Sequence, residues 1–536
     1  MPLIPHEPLS WAVIIVAALT LYLRQVYSRF SRHGVKHFRT VPFLGNMMDV
    51  TLRINHISDD IERLYKAYPN ERFVGRYEFT NPMLMIHDIE LVKKITVKDF
   101  EHFIDHRAFV DEQADPFFGR NLFSLKGQEW KDMRSTLSPA FTSSKMRLML
   151  PFMVEVGNQM VLTLKNKIKQ SGVGYTDLEG KDLTTRYAND VIASCAFGLK
   201  VNSHAEQDNE FYKMGKQAST FNYKQLLKFF GFVSFPKLMT LLKVSLFSDE
   251  TKHFFKNVVM STMRDREAHN IIRPDMIHLL MEAKKGQLVH DEKTSQDADA
   301  GFATVEESSV GKKDINRVWS DDDLIAQAVL FFIAGFETVS SAMSFSLNEL
   351  TTHPEVQEKL AQEIKENEIK NGGKFDYNSI QNMTYMDMVV SEVLRLWPPA
   401  LALDRVCIKD YNLGRANDNT EKDYIIREGD GLNIPVWNFH RDPQYFPDPL
   451  KFDPERFSNE RKHNINPLAY IPFGVGPRNC IGSRFALCEV KVMLYQLLQH
   501  FELSPCEKTC IPTVLSKENI NMTIKGGQWM RLKIRQ

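Results

Sequence analysis

The chain has 536 residues, with 67 basic and 67 acidic side chains and 43% hydrophobic residues. This composition supports a large buried core and excludes a disordered chain, and zero net charge gives no electrostatic footprint for nucleic acid. Six cysteines, at positions 195, 407, 480, 488, 506 and 510, form no Cys-x-x-Cys pair and no dense framework, which argues against a zinc or disulfide scaffold.

The first segment, Leu9 to Leu23, is uncharged, and Arg24, Arg29, Arg32, Lys36 and Arg39 follow it. No Lys or Arg precedes it and no small-x-small cleavage site follows. It therefore reads as an uncleaved membrane anchor over 1–27 rather than a signal peptide. The basic flank places the body on the cytoplasmic side. A basic linker over 28–46 leads into a body over 47–536. Most of that body carries the apolar spacing of helices, and short runs near 73–87, 424–437 and 527–534 read as strands.

Trp130 and Arg134 stand one helical turn apart, so an indole N–H and a guanidinium can reach one carboxylate. Gln225 to Phe247 is strongly apolar and broken at Pro236. It fits two short helices, either lying on a bilayer interface or buried as a pair. Gly286 to Lys313 is rich in Asp, Glu, Ser, Thr, Gly and Ala, and is expected to be a long mobile loop (286–313). Ser320 followed by Asp321, Asp322 and Asp323 caps a helix running to Thr352. Its middle, Leu330 to Phe336, is almost wholly apolar and belongs deep inside the protein. There, Gly335 permits close approach, Thr338 can bond back to a carbonyl, and Glu337 is an acid that requires a partner, water or a function.

Glu392 and Arg395 share one face of a helix that stops before Pro398-Pro399. Their apolar surroundings point to a buried pair with a third partner, for which Arg456 in Pro454-Glu455-Arg456-Phe457 is the candidate. The most informative run is Phe473-Gly474-Val475-Gly476-Pro477-Arg478-Asn479-Cys480-Ile481-Gly482. Gly474, Gly476 and Pro477 shape a rigid loop that turns amide N–H groups toward one sulfur. Arg478 adds positive charge and Phe473 can exclude water, so Cys480 reads as a thiolate ligand.

These motifs, in this order, resemble those of the cytochrome P-450 superfamily from about residue 30 to the C-terminus, and the Cys480 run fits the haem-binding signature at every fixed position. The local sequence looks like the animal microsomal branch, including insect detoxifying enzymes. One departure is the hinge, where Val41-Pro42 and Gly45-Asn46 replace the usual Pro-Pro-Gly-Pro. The resemblance implies a single large, mainly α haem domain with small β-sheets, a long central helix and an N-terminal membrane anchor. It implies haem b (iron protoporphyrin IX) with Cys480 as the axial iron ligand, and Trp130, Arg134, Arg405 and Arg478 on the propionates. Thr338 and Glu337 organise proton delivery to O2, and Glu392, Arg395 and Arg456 form a structural cluster. By position, the substrate pocket draws on Phe117, Phe118, Phe123, Phe331, Ile333, Ala334, Leu401, Leu403 and Ile520, which favour a lipophilic small molecule.

Electrons are then expected from an NADPH-cytochrome reductase, with cytochrome b5 as a further donor. Lys131, Lys145, Arg147 and Arg484 offer docking charge, and the enzyme would sit on the endoplasmic reticulum membrane with its body in the cytoplasm. Two other readings are a haem-thiolate isomerase or dehydratase of oxygenated lipids and a non-catalytic haem carrier or sensor. The first tends to lose the Thr and acid that this chain keeps. The second leaves Glu337, Thr338 and the apolar pocket unexplained.

Overall fold

The computed structural model describes residues 8–107, 110, 112–219, 223–285, 301–305, 310 and 317–536. Among the described residues helices dominate, and three small sheets flank them. The N-terminal helix Pro8–Tyr27 has 20 residues, about 30 Å at the usual rise. Its Trp11, Ile15, Val16, Leu21 and Tyr22 side chains are exposed, while its foot is tied to the body by Tyr27 Oη donating to Phe79 O at 3.1 Å. The stretch expected as a linker, 28–46, is packed into the body. Phe30 and Val35 are buried with Phe73 and Tyr77, Gly75 N donates to Lys36 O, and Arg29 pairs with Asp430.

The central helix runs Asp321–Thr352 under a capping box between Ser320 and Asp323, as the sequence predicts. Its length and composition would suit a membrane span, but it lies within the main core. Helix Gly180–Cys195 packs along it, and Gly335 is where they come close: a Cβ there would lie 3.1 Å from Ile192 Cδ1. Pro236 divides the apolar stretch after residue 225 into helices Tyr223–Ser234 and Pro236–Leu241. Leu227, Phe235, Leu238, Leu241 and Leu242 there are exposed, whereas Phe232, Val233 and Phe247 are buried, so the stretch is neither wholly surface nor wholly core.

The main sheet has four strands in the order Phe73–Glu78, Asn81–Ile86, Gly431–Ile434 and Leu403–Val406. A second sheet joins Tyr175–Glu179, Trp529–Ile534 and Phe501–Ser504. The three predicted strand regions all carry strands, but Tyr175–Glu179 and Phe501–Ser504 escape the pattern because they mix polar residues into short edge positions. Of the expected loop 286–313, most lies outside the described residues. Gly301–Val305 is docked, with Phe302 N donating to Asp387 Oδ2 at 2.9 Å.

Below the main core, Glu392 and Arg395 on helix Thr384–Leu396 are fully buried and joined by bonds of 2.6 and 2.8 Å. Arg456 Nε adds a third contact to Glu392 at 3.3 Å. The remaining Arg395 donors reach the carbonyls of His440, Pro449 and Lys451. A buried ion pair survives only when its other donors are satisfied, and here they bind the chain segments that lead to the Cys480 loop.

Candidate functional site

The Cys480 loop is folded by its own backbone. Cys480 N donates to Phe473 O at 2.8 Å, Gly474 N to Ile471 O at 3.0 Å and Asn479 N to Gly476 O at 3.0 Å. Gly476 has φ +74°, and a Cβ there would lie 1.9 Å from Thr96 O, so glycine alone allows the loop to lie against the 94–98 turn. The loop forms one wall of a cavity of about 370 Å³ whose lining includes Cys480, Phe473, Trp130 and the central helix. Cys480 is exposed only in the sense that it opens into this cavity. Burial deep in the protein pushes its thiol up, opposed by the Gly482 N–H and the charge of Arg134. Helix Ser483–His500 begins just after it.

Cations gather on one side of the cavity. Arg134 binds Asn479 O at 2.7 Å and Asn479 Oδ1 at 2.9 Å, bracing the residue before Cys480. Arg478 lies over the Trp130 ring, 4.0 Å from its centroid. Its donors reach the carbonyls of Ile104 at 2.7 Å and Leu125 at 2.8 Å, with longer bonds to Leu122 and Phe123. It therefore locks the 104–125 segment to the Cys480 loop. Arg405 differs. It is 1% exposed, donates to Asp404 O at 2.6 Å, and its Nε has no hydrogen-bond partner among the described residues. Burial pushes its pKa down to about 10, with Asp404 opposing. A buried guanidinium with a spare donor on a cavity wall is a ready site for an anionic group.

His106 lies in the same wall, and the motifs did not reveal it. Its ring stacks on Phe123 at 4.4 Å, and Nδ1 lies 2.9 Å from Asp404 Oδ1. Burial would raise the Asp404 pKa, but His106, the Arg107 N–H and Arg405 hold it well below the usual carboxylate range. Burial keeps the His106 ring neutral, so Nδ1–H donates to Asp404.

The opposite wall is the central helix. Thr338 lines the cavity and donates from Oγ1 to Ala334 O at 2.5 Å. Glu337 is not part of the lining. Its Oε1 accepts from Lys181 Nζ at 3.0 Å, and that ammonium also donates to Ser340 Oγ at 2.9 Å and Ser341 Oγ at 2.8 Å. Burial lowers the Lys181 pKa and Glu337 opposes it. Lys181, on the facing helix, was not legible in the sequence because nothing in its local pattern ties it to Glu337.

Of the positions expected to meet substrate, Phe123, Phe331, Ala334 and Leu403 line the cavity. Phe117, Phe118, Ile333, Leu401 and Ile520 do not. Phe117 is buried in the main core, where Phe118, Ile333 and Leu401 pack against it, and Ile520 lies on the C-terminal loop. Leu122, Phe141, Leu330, Pro399 and Ala400 take their places. The donor set fits a planar macrocycle carrying carboxylates: one sulfur on an apolar wall, an indole and guanidinium at the edge, and Arg405 with a free donor.

A family model described as Cytochrome P-450 matches residues 35–531. The chain is 46% identical over 518 residues to cytochrome P-450 9e2 of Blattella germanica, covering 94% of each chain. It is 42% identical over 511 residues to probable cytochrome P-450 9f2 of Drosophila melanogaster, again 94% of each. It is 35% identical over 524 residues to cytochrome P-450 6j1 of Blattella germanica, covering 97% and 96%.

Proposed function

This chain belongs to the cytochrome P-450 family and is a haem-thiolate monooxygenase with haem b as its cofactor. On that premise we propose that Cys480 would ligate the haem iron and that Thr338, in the same cavity, would handle protons, with a lipophilic substrate held by the apolar lining. The observation that carries this reading is the placement of Cys480 and Thr338 in one largely apolar cavity. Bound there, haem supplies dioxygen activation, and a thiolate ligand favours O–O cleavage.

The protein's own residues do the rest. Trp130, Arg134 and Arg405 would hold the cofactor's carboxylates, His106 positions Asp404 beside Arg405, and Arg478 fixes the Cys480 loop. The Thr338 hydroxyl spends its proton on Ala334 O, which leaves its lone pairs to accept a bond from a proton donor in the cavity. Glu337 serves as a proton reservoir behind Thr338, and Lys181 is its positioning residue. Phe123, Phe331, Ala334 and Leu403 hold substrate by shape.

Electrons come from NADPH through a flavoprotein reductase, with cytochrome b5 as a second donor. The partner docks on the Cys480 side, where Lys131, Lys145, Arg147 and Arg484 are partly exposed. The outward apolar face of helix Pro8–Tyr27 and the exposed Leu238, Leu241 and Leu242 support a membrane-anchored enzyme. The basic residues after that helix support a cytoplasmic body on the endoplasmic reticulum. The test is stoichiometry in reconstituted vesicles: NADPH and O2 consumed together with product, only when reductase is present. Product formed without O2 would overturn the reading.

A further inference from the structure

A short strap, residues 120–125, joins helix Pro116–Gly119 to helix Gly127–Leu137 and ties the two walls of the cavity together. Asn121 closes it locally. Its Oδ1 accepts from Ser124 N at 3.0 Å, and its Nδ2 donates to Phe117 O at 3.3 Å. Leu122 then binds both walls through its own peptide groups. Leu122 N donates to Gln327 Oε1 of the central helix at 2.7 Å, and Leu122 O accepts from Arg478 of the Cys480 loop at 3.3 Å. Phe123 comes next, lining the cavity with its ring stacked on His106.

Gln327 is fully buried, and both polar atoms of its side chain are in use. Beyond accepting from Leu122 N, it donates from Nε2 to Arg120 O at 2.9 Å and to Asp323 O at 3.0 Å. Arg120 reinforces this junction from a partly exposed position, with Nε donating to Asp323 Oδ1 at 2.6 Å and the guanidinium also paired with Glu112. Along the central helix Gln327, Phe331, Ala334 and Thr338 follow at spacings of four, three and four, so they share one face. Phe331, Ala334 and Thr338 line the cavity. Gln327 ends that stripe by taking the strap's backbone. A buried amide that loses such bonds carries the desolvation cost of its polar atoms, so the strap has one favoured position rather than a range.

We infer that Gln327 is a positioning residue for substrate selection: by holding the Leu122 amide it sets where Phe123 stands in the cavity, and so the shape of the lipophilic molecule the cavity accepts. The inference rests on the substrate site proposed above. Gln327 does not touch the substrate and acts through Phe123. With the strap released, Phe123 spends part of its time out of place, and the affinity of any ligand that needs it falls by that fraction.

The test uses full-length holoenzyme and two probes followed by difference absorption: imidazole, too small to span the cavity, and 1-dodecylimidazole, whose chain must pass the apolar lining. Gln327→Met is expected to raise the Kd of 1-dodecylimidazole about fivefold and that of imidazole less than about 1.5-fold, with the reduced carbon monoxide spectrum unchanged. Arg120→Gln, which loosens the strap at a partly exposed pair, is expected to act in the same direction by about twofold. In a Phe123→Ala background Gln327→Met is expected to add nothing, because the two residues act as one unit. A full effect in that background, equal weakening of both probes, or an unaltered 1-dodecylimidazole Kd would each refute positioning through Phe123. If Gln327→Met does not retain haem, Arg120→Gln and its combination with Phe123→Ala carry the same cycle. A wild type without the thiolate-type carbon monoxide spectrum would instead sink the haem-thiolate reading, a result the probe cycle does not depend on.

Discussion

The two walls of the cavity are built on opposite physical plans. On the Cys480 side nearly every polar group is tied. Arg478 reaches carbonyls of the 104–125 segment, Arg134 grips Asn479, and the Glu392–Arg395–Arg456 cluster holds the chain below. The central-helix wall is held by apolar contact, as in Phe331 edge-on to Phe141 at 5.2 Å, and it presents the hydroxyl of Thr338. Directional bonds make the first wall fail discretely, because each buried donor or charge left alone costs free energy. The second wall tolerates change in shape and expresses it as altered selectivity.

Substitutions that separate the walls follow from this difference. Cys480→Ala is expected to abolish the thiolate-type spectrum of the reduced carbon monoxide adduct and all turnover. Retention of that spectrum would remove Cys480 as ligand. Glu392→Gln leaves two buried guanidinium groups without their counter-ion and is expected to destabilise the fold by about 3–5 kcal/mol, measured by chemical denaturation. A loss under about 1 kcal/mol, the level of an exposed pair, would mean that the cluster does not lock this wall.

The Cys480 wall is also expected to be acid-sensitive. His440 is fully buried, with Nδ1 donating to Arg395 O at 3.1 Å and Nε2 accepting from Ile471 N at 2.9 Å. Burial pushes its pKa down to about 3, aided by the Arg395 charge. The unfolded chain therefore binds the proton more readily, and stability is complete above the unfolded pKa near 6.5 and falls as pH drops toward 3. This one group accounts for about 2 kcal/mol at pH 5. A pH-stability slope between 7 and 5 that is unchanged in His440→Asn would contradict the assignment.

Smaller effects come from the edge and the far wall. Arg405→Leu is expected to hasten haem loss about tenfold, equivalent to roughly 1.4 kcal/mol, as followed by transfer to an apo-globin acceptor. Thr338→Ala removes a bond internal to one helix, so stability should change by less than about 1 kcal/mol, with haem retained. Its effect appears in coupling: a larger share of consumed NADPH is recovered as peroxide. Unaltered coupling would take Thr338 out of proton delivery.

Short-range signals in the sequence carry the Cys480 wall well. Trp130 and Arg134, Glu392 and Arg395, and the ten residues ending at Gly482 each sit within a turn or loop, where spacing fixes geometry. The central helix was equally legible, cap to end, because Ser320 and the three acids after it announce its start. Legibility fails where contacts span the chain. Lys181 meets Glu337 across 156 residues, and His106 meets Asp404 across 298. The pocket positions Phe117 and Phe118 lie close in sequence to lining residues yet belong to the core. Gly301–Val305 sits in a stretch whose composition suggests only solvent, and its socket is assembled from residues near 387, 457 and 470.

By itself, the sequence determined the Cys480 loop, the central helix, the buried ion cluster and the family, since each is a local pattern of residue types whose chemistry depends on neighbours a few positions away. Tertiary structure alone decided which apolar side chains face the cavity, what holds Glu337 away from it, and where the chain folds back upon itself. Those outcomes depend on the packing of distant elements against one another, and burial is a property of the assembled whole that no local spacing records.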